Sequence, residues 1–191
     1  MATGRLPRIV LDLFRRFEEA GIEWALVGAE GVNLYLQRPR ATVDVDVVVR
    51  KKHLVKARKI LKEVGTEFLD TEVHMRATLS NDPNRLEIDM IKSQSHELFE
   101  RALDHKTTVG GIPVPRVEAL LALKFLSAVS PWRQPADKHQ DVTDFIRAFK
   151  DNKDRLDRNL LIQLASLAHK NAKKEFPLFL DRVEHDRPLT I

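Results

Sequence analysis

A valine run that carries two aspartates constrains the fold of this chain more than any other segment. It reads Arg40-Ala41-Thr42-Val43-Asp44-Val45-Asp46-Val47-Val48-Val49. β-Branched residues this dense favour a buried strand, and alternation along a strand places Asp44 and Asp46 on one face and the intervening valines on the other. Two carboxylates held so close repel each other, and a divalent cation with oxygen ligands is the simplest way to offset that repulsion. The segment therefore predicts metal-dependent chemistry.

A second pair of acids occurs in a predicted hairpin. Residues 73–79 and 85–91 have the pattern of two strands, and the Asn81-Asp82-Pro83-Asn84 segment between them favours a tight reversal and hence an antiparallel pair. In the second strand, Glu87 and Asp89 alternate with apolar residues and so share one face.

The two acidic strands become a site if they lie side by side in the sheet. The carboxylates of Asp44, Asp46 and Asp89 would then converge, and such a set can hold two Mg²⁺ ions about 4 Å apart for phosphoryl or nucleotidyl transfer. Gly28-Ala29-Glu30-Gly31 forms a turn between a short apolar strand and a predicted helix. Backbone N–H groups at such a turn can bind phosphate oxygens.

The remaining pattern indicates an α+β chain. Helical spacing predicts helices near residues 8–20, 53–64 and 95–103, and residues 24–27 read as a short strand. Gly110-Gly111 and the Pro113/Pro115 pair interrupt the pattern, and the chain has helical period from about residue 116 onward. We therefore expect a nucleotide-handling domain over residues 1–112 and a helical extension over residues 113–191.

Composition excludes several classes of protein. The 191 residues are 43% hydrophobic and 31% charged, which suits a folded chain with a sizeable core. A formal charge of +4 is compatible with a phosphate-bearing partner, and the absence of cysteine excludes disulfides, zinc–cysteine sites and thiol catalysis. No window has the length and hydropathy of a membrane span. We expect a cytoplasmic protein with no membrane partner.

Five short segments together resemble the polymerase-beta-type nucleotidyltransferase superfamily. They are Leu26-Val27-Gly28-Ala29, residues 40–46, Glu87-Ile88-Asp89, Leu120-Leu121-Ala122-Leu123-Lys124 and His139-Gln140-Asp141-Val142-Thr143-Asp144. Within the superfamily, the pattern is most similar to the minimal nucleotidyltransferases of the AbiEii toxin type. The resemblance covers about residues 24–145. It implies a small mixed β-sheet flanked by helices, with a helical C-terminal extension.

The resemblance assigns roles to the acidic residues. Asp44 and Asp46 would be Mg²⁺ ligands, and Asp89 would be the third ligand or the base that acts on the acceptor hydroxyl.

The resemblance also assigns a nucleotide site. Gly28 would contact the triphosphate together with its neighbour Ala29, Lys124 would reach the phosphates, and Asp141 matches the acidic position that follows that lysine. The family turn is usually Gly-Gly or Gly-Ser, whereas Ala29 has neither a hydroxyl group nor the conformational freedom of glycine. A catalytically weak binding module with the same fold therefore stays open beside an active enzyme.

The function that the resemblance implies is transfer of a nucleoside monophosphate from an NTP to a hydroxyl group. The acceptor would be a tRNA end or a protein side chain, and the protein would be a toxin with a separately encoded antitoxin. Nucleotidylation of a small molecule, such as an antibiotic, is the alternative enzyme. Two other classes with an Asp-x-Asp motif fit less well: in haloacid-dehalogenase phosphatases the apolar strand precedes the first aspartate, and sugar-nucleotide glycosyltransferases need a larger domain upstream.

One aromatic residue, Trp132, has two possible roles. Trp132 lies in the proline-rich segment Ser130-Pro131-Trp132-Arg133-Gln134-Pro135. An indole in such a loop can stack on a base. Packing against the protein is the more common role, and the sequence leaves both open.

Overall fold

The computed structural model describes residues 6–78 and 86–189. In chain order, the strands and α-helices of these residues are α1 (Arg8–Glu19), β1 (Trp24–Leu26), α2 (Gly28–Asn33), β2 (Asp44–Val49), α3 (Leu54–Val64), β3 (Glu67–Asp70), β4 (His74–Thr78), β5 (Glu87–Lys92), α4 (Glu97–Asp104), β6 (Lys106–Val109), β7 (Ile112–Pro115), α5 (Val117–Val129), α6 (Pro135–Asn152), α7 (Arg158–Ala165) and α8 (Ala172–Glu184). The fold is α+β, with a mixed sheet flanked by helices, as the sequence predicts.

The main sheet brings the two acidic strands together. Its five strands lie in the order β1-β2-β5-β4-β3, with β2 and β5 parallel and the other neighbours antiparallel. In the register of β2 with β5, Asp46 lies opposite Asp89 and Asp44 lies opposite Glu87. The expected adjacency of the acidic strands is confirmed, and so is the antiparallel pairing of β4 with β5. The predicted turn at residues 81–84 lies outside the described residues.

The valine strand is buried on both faces beyond its aspartates. Val45, Val47 and Val49 pack into a core that includes α1 and α3, whereas Val48 belongs to a second core that includes the C-terminal helices. A strand covered on both faces has a nearly continuous apolar run, which explains the unbroken valines at its end. Because side chains alternate along a strand, the two aspartates share the face of Val48 and so face the side of the C-terminal helices.

An aromatic cluster forms the centre of the C-terminal helical layer. Phe125 and Phe176 have ring centroids 4.9 Å apart, and those of Phe145 and Phe179 are 5.0 Å apart. The same core includes Val27 beside β1, and residues of α2 and α4. The helical layer is thus continuous in packing with the sheet domain. The division at residue 112 falls at the first residue of β7 and stays a prediction.

Three strands are absent from the sequence prediction. Strand β3 is a largely exposed edge strand that pairs with β4, so it lacks the alternation that marks a half-buried strand. Strands β6 and β7 form a hairpin around Gly110 and Gly111, both of which have positive φ, as a two-residue turn of this kind requires. Strand β7 could not be predicted from the sequence, because it contains Pro113 and Pro115 and prolines normally argue against a strand.

The predicted helices agree with the structure apart from their ends. The segment predicted as residues 53–64 is α3, the one predicted as 95–103 is α4, and the chain from Val117 onward is helical between its loops. Among the helices of residues 6–78 and 86–189, none combines the length and the hydropathy that a bilayer span requires.

Candidate active site

A cleft of about 500 Å³ lies where the start of β2 meets α2, α5 and α6. The side chains that line it are mostly polar or charged: Ala29, Arg40, Ala41, Thr42, Val43, Asp44, Asp46, Lys124, Arg133, Asp137, Gln140 and Asp141. Five residues predicted from sequence therefore share one cleft, namely Ala29, Asp44, Asp46, Lys124 and Asp141. Gly28 and Asp89 do not line it, but each lies next to Asp46.

Gly28 lies so close to Asp46 that a side chain at this position would clash with the carboxylate. It is the first residue of α2 and has a φ of +59°, in the left-handed region that favours glycine. A Cβ atom placed there would lie 1.8 Å from Asp46 Oδ2. The preceding residue, Val27, donates its N–H to the carbonyl oxygen of Asp46 at 2.9 Å. The turn and the strand thus approach so closely that only glycine fits.

Burial and two neighbouring acids disfavour the negative charge of the Asp46 carboxylate. Burial, and then the charges of Asp89 and Asp44, raise its pKa to about 6, while the positive charges of Lys124 and Arg133 oppose that rise. Asp44 is exposed at the start of the same strand. Carboxylate oxygens are the ligands that Mg²⁺ prefers, and a cation at this pair would relieve the repulsion. The two aspartates of β2 therefore suit a divalent metal ion.

Asp89 is held by a cation of the protein itself. Arg76 of β4 donates from Nε to Asp89 Oδ1 and from Nη2 to Oδ2, both at 2.7 Å, and its Nη1 lies 3.4 Å from Glu87 Oε2. Within the described ranges, no set of three or more His, Asp or Glu side chains is arranged to hold a metal ion. In the structure, Asp89, the third of the predicted ligands, is thus held by two hydrogen bonds from Arg76.

A buried ion-pair network forms the wall opposite the aspartates of β2. Lys124 is 7% exposed, and its Nζ lies 2.8 Å from Asp141 Oδ1 and 2.8 Å from Asp144 Oδ2. These two acids are three residues apart on α6 and therefore share a helix face. The lysine proposed from sequence to reach phosphates is thus enclosed by two carboxylates of its own chain.

Two arginines complete this network, and sequence reasoning missed both as site residues. Arg40 donates to both oxygens of Asp144, at 2.8 and 3.0 Å. Arg133 donates from Nε to Asp141 Oδ2 at 3.1 Å. Arg40 and Asp144 are separated by 104 residues. No local pattern could connect them, although the helical spacing of the two acids indicates a shared face.

The charge on Asp144 is stabilised by its partners. Burial would raise its pKa, but the hydrogen bond from Arg40 and the charge of Lys124 outweigh that effect and lower the pKa to about 2. With Arg133, the network has three cations and two carboxylates. The cleft therefore has two carboxylates on β2 and, across from them, a mixed wall in which Arg40, Lys124 and Arg133 pair with Asp141 and Asp144, while Asp137 adds a further acid.

Solved structures of an antibiotic-resistance factor and of an antibiotic adenylyltransferase share this fold. The antibiotic-resistance factor ANT(2'')-Ia in solution superposes with a TM-score of 0.62 at 13% identity, over 98% of this chain and 100% of that chain. The crystal structure of ANT(2'')-Ia with adenylyl-2''-tobramycin gives 0.59 at 13% identity, over 83% and 97%. The lincomycin-bound lincosamide antibiotic adenylyltransferase LnuA gives 0.51 at 17% identity, over 73% and 96%.

At these identities the likeness is one of fold, and the chain has the nucleotidyltransferase fold. No protein-family model matches the chain, and no curated protein matches its sequence significantly.

The close approach of Gly28 to Asp46 predicts the effect of Gly28→Ala. Both the left-handed φ and the clash with the carboxylate should lower the free energy of unfolding, by about 2–4 kcal/mol in total. Gly21→Ala is the matched control, because Gly21 has a φ of +63° but, among the described residues, no heavy atom within 4 Å of the point where a Cβ would lie. It should cost only the backbone strain of about 1–2 kcal/mol. Equal losses in urea denaturation would show that Asp46 moves aside freely.

The lowered pKa of Asp144 predicts a pH-dependent contribution to stability. An acid whose folded-state pKa is depressed stabilises the fold above its unfolded pKa, and that stabilisation is lost as the pH falls through the folded value. The free energy of unfolding of Asp144→Asn should therefore lie furthest below that of the wild type above about pH 4, and the difference should shrink towards pH 2. Asp137→Asn, an exposed acid on the same helix, should differ little from the wild type throughout. A constant difference for Asp144→Asn between pH 5 and pH 2 would contradict the ion-pair account.

Proposed function

We propose that this protein is a magnesium-dependent nucleotidyltransferase that transfers a nucleoside monophosphate from an NTP to a hydroxyl acceptor. The observation that carries the proposal is one cleft that places the carboxylates of β2 beside three cations, Arg40, Lys124 and Arg133. In the reaction, the acceptor oxygen forms a bond to the α-phosphorus as the bond to the pyrophosphate oxygen breaks. The hydroxyl proton goes to a carboxylate, and pyrophosphate leaves.

Asp44 and Asp46 would hold the Mg²⁺ ions, with Asp89 as third ligand or as the base on the acceptor hydroxyl. When bound, Mg²⁺ supplies charge neutralisation for the triphosphate and activation of the acceptor. Arg76 fixes the orientation of the Asp89 carboxylate through its two hydrogen bonds. A carboxylate fixed in this way can accept a proton in a defined direction.

The ion-pair network of the cleft would bind the triphosphate through its cations. Arg133 is the most accessible of its cations, with a side chain 44% exposed, whereas Arg40 is 26% exposed and Lys124 is buried. We assign Arg133 to direct phosphate contact and Lys124 to the network that positions it through Asp141. The backbone of the Gly28-Ala29 turn lies close to Asp46. It would therefore lie beside a triphosphate bound in the cleft.

Two classes of acceptor are compatible with the proposed reaction. A tRNA end or a protein side chain, in a toxin neutralised by a separately encoded antitoxin, is supported by the resemblance to the AbiEii type. A small hydroxylated molecule is supported by the fold likeness to ANT(2'')-Ia in complex with adenylyl-2''-tobramycin, which extends over 83% of this chain. The reaction type is the same in both, and only the acceptor differs.

The test is nucleotide transfer by the purified protein with Mg²⁺ and each of the four α-labelled NTPs. Total tRNA, cell protein and a panel of hydroxylated antibiotics serve as acceptors in separate reactions. We expect label in one acceptor class, and a loss of roughly 100-fold or more with Asp44→Asn or Asp46→Asn. Glu87→Gln is the control, because Glu87 lies on the same strand face as Asp89 but is not assigned to the metal ions and does not line the cleft. It should keep most of the activity.

The outcomes separate the candidates. Label in tRNA or protein favours the toxin, and label in an antibiotic favours the small-molecule enzyme. If NTP binds but no acceptor is labelled, the chain is a binding module, which would contradict the proposed activity. Equal activity of Glu87→Gln and Asp46→Asn would contradict the assignment of the aspartates.

A further inference from the structure

Trp132 is an indole that the fold leaves in solvent. Its relative exposure is 91%, whereas the other tryptophan, Trp24, is 1% exposed and packs against Phe14 and Phe17. Tryptophan is highly buried on average, because it has the largest apolar surface to remove from water. The Trp132 indole is therefore accessible to a ligand.

The loop that carries Trp132 is anchored to the candidate active site at both ends. Ser127, before the loop, donates from Oγ to Asp141 Oδ2 at 2.6 Å, and Arg133, directly after Trp132, donates to the same oxygen at 3.1 Å. Asp141 also accepts the hydrogen bond from Lys124. Trp132 thus lies between two residues that bind one buried carboxylate of the cleft.

The loop is also stiff. The N–H of Arg133 donates to the carbonyl oxygen of Ser130 at 3.3 Å, which closes a four-residue turn with Pro131 and Trp132 at its centre. Proline fixes its own φ and so restricts the turn further. An aromatic side chain held on a restricted turn loses little conformational entropy when it binds a partner.

We propose that Trp132 stacks on the nucleobase of the donor NTP. The inference rests on the proposed function. With the triphosphate between the aspartates of β2 and Arg133, the nucleoside extends towards the rim of the cleft. Trp132 is the chain neighbour of Arg133 at that rim, although it does not line the cleft itself. Stacking uses the face common to all bases, so this contact supplies affinity with little choice of base.

The experiment measures NTP binding by calorimetry with Mg²⁺ and without acceptor. Loss of a base–aromatic stack should weaken the affinity of Trp132→Ala for each of the four NTPs by about fivefold or more. Trp132→Phe should stay close to the wild type, because it keeps a ring. Inorganic tripolyphosphate, which has no base, should bind all variants equally. Leu178→Ala is the control for loss of an exposed apolar side chain, since Leu178 is 67% exposed on α8.

Fluorescence gives an independent readout from the wild-type protein. Trp132 should account for the emission that iodide quenches, since Trp24 is buried, and saturating NTP should protect that emission. Trp132→Phe identifies the signal by abolishing it. Tripolyphosphate should not protect it.

Failure of this inference is distinguishable from failure of the proposed function. If the wild type binds neither NTP nor tripolyphosphate, the proposed function fails and the inference falls with it. If the wild type binds NTP and Trp132→Ala binds it equally well, only the inference is overturned. An effect of Trp132→Ala on acceptor affinity alone would also overturn it, because the indole would then contact the acceptor.

Discussion

The parallel pairing of β2 with β5 is the constraint on which the rest of the site depends. It places Asp46 opposite Asp89, with Asp44 at the start of the same strand. The raised pKa of Asp46 reflects its burial first and then the repulsion from Asp89, because like charges at this spacing destabilise one another. The surrounding structure can be understood as a set of responses to this concentrated negative charge.

Cations lie on both sides of Asp46 and Asp89 and offset their negative charge. Arg76 neutralises Asp89 from the neighbouring strand β4, and Lys124 and Arg133 lower the pKa of Asp46 from the helical layer. Lys124 is in turn enclosed by acids of α6. Buried ion pairs are weak evidence for stability, because desolvation offsets much of their attraction. Their concentration around one polar cleft agrees with the proposed binding of a metal–nucleotide complex there.

The sequence predicts the aspartates of the site and, through the resemblance, Lys124, but not the arginines that pair with the acids. The aspartates of β2 and Asp89 follow from alternation within single strands, and their adjacency follows once the two strands pair. The partners of these acids come from distant segments. Arg76 faces Asp89 across the sheet, and Arg40 reaches α6 over more than a hundred residues. Residue patterns report local periodicity, so they indicate which side chains share a face but not which charges meet between elements.

The central claim is that the carboxylates of β2 and the cations of the same cleft bind one metal–nucleotide complex. Paramagnetic broadening of amide resonances by Mn²⁺, with and without a non-hydrolysable NTP analogue, tests it most directly. The account predicts broadening centred on Asp44, Asp46 and Asp89, strengthened by the nucleotide and extended to Arg133. Broadening centred on other acids, or unchanged by the nucleotide, would contradict the account.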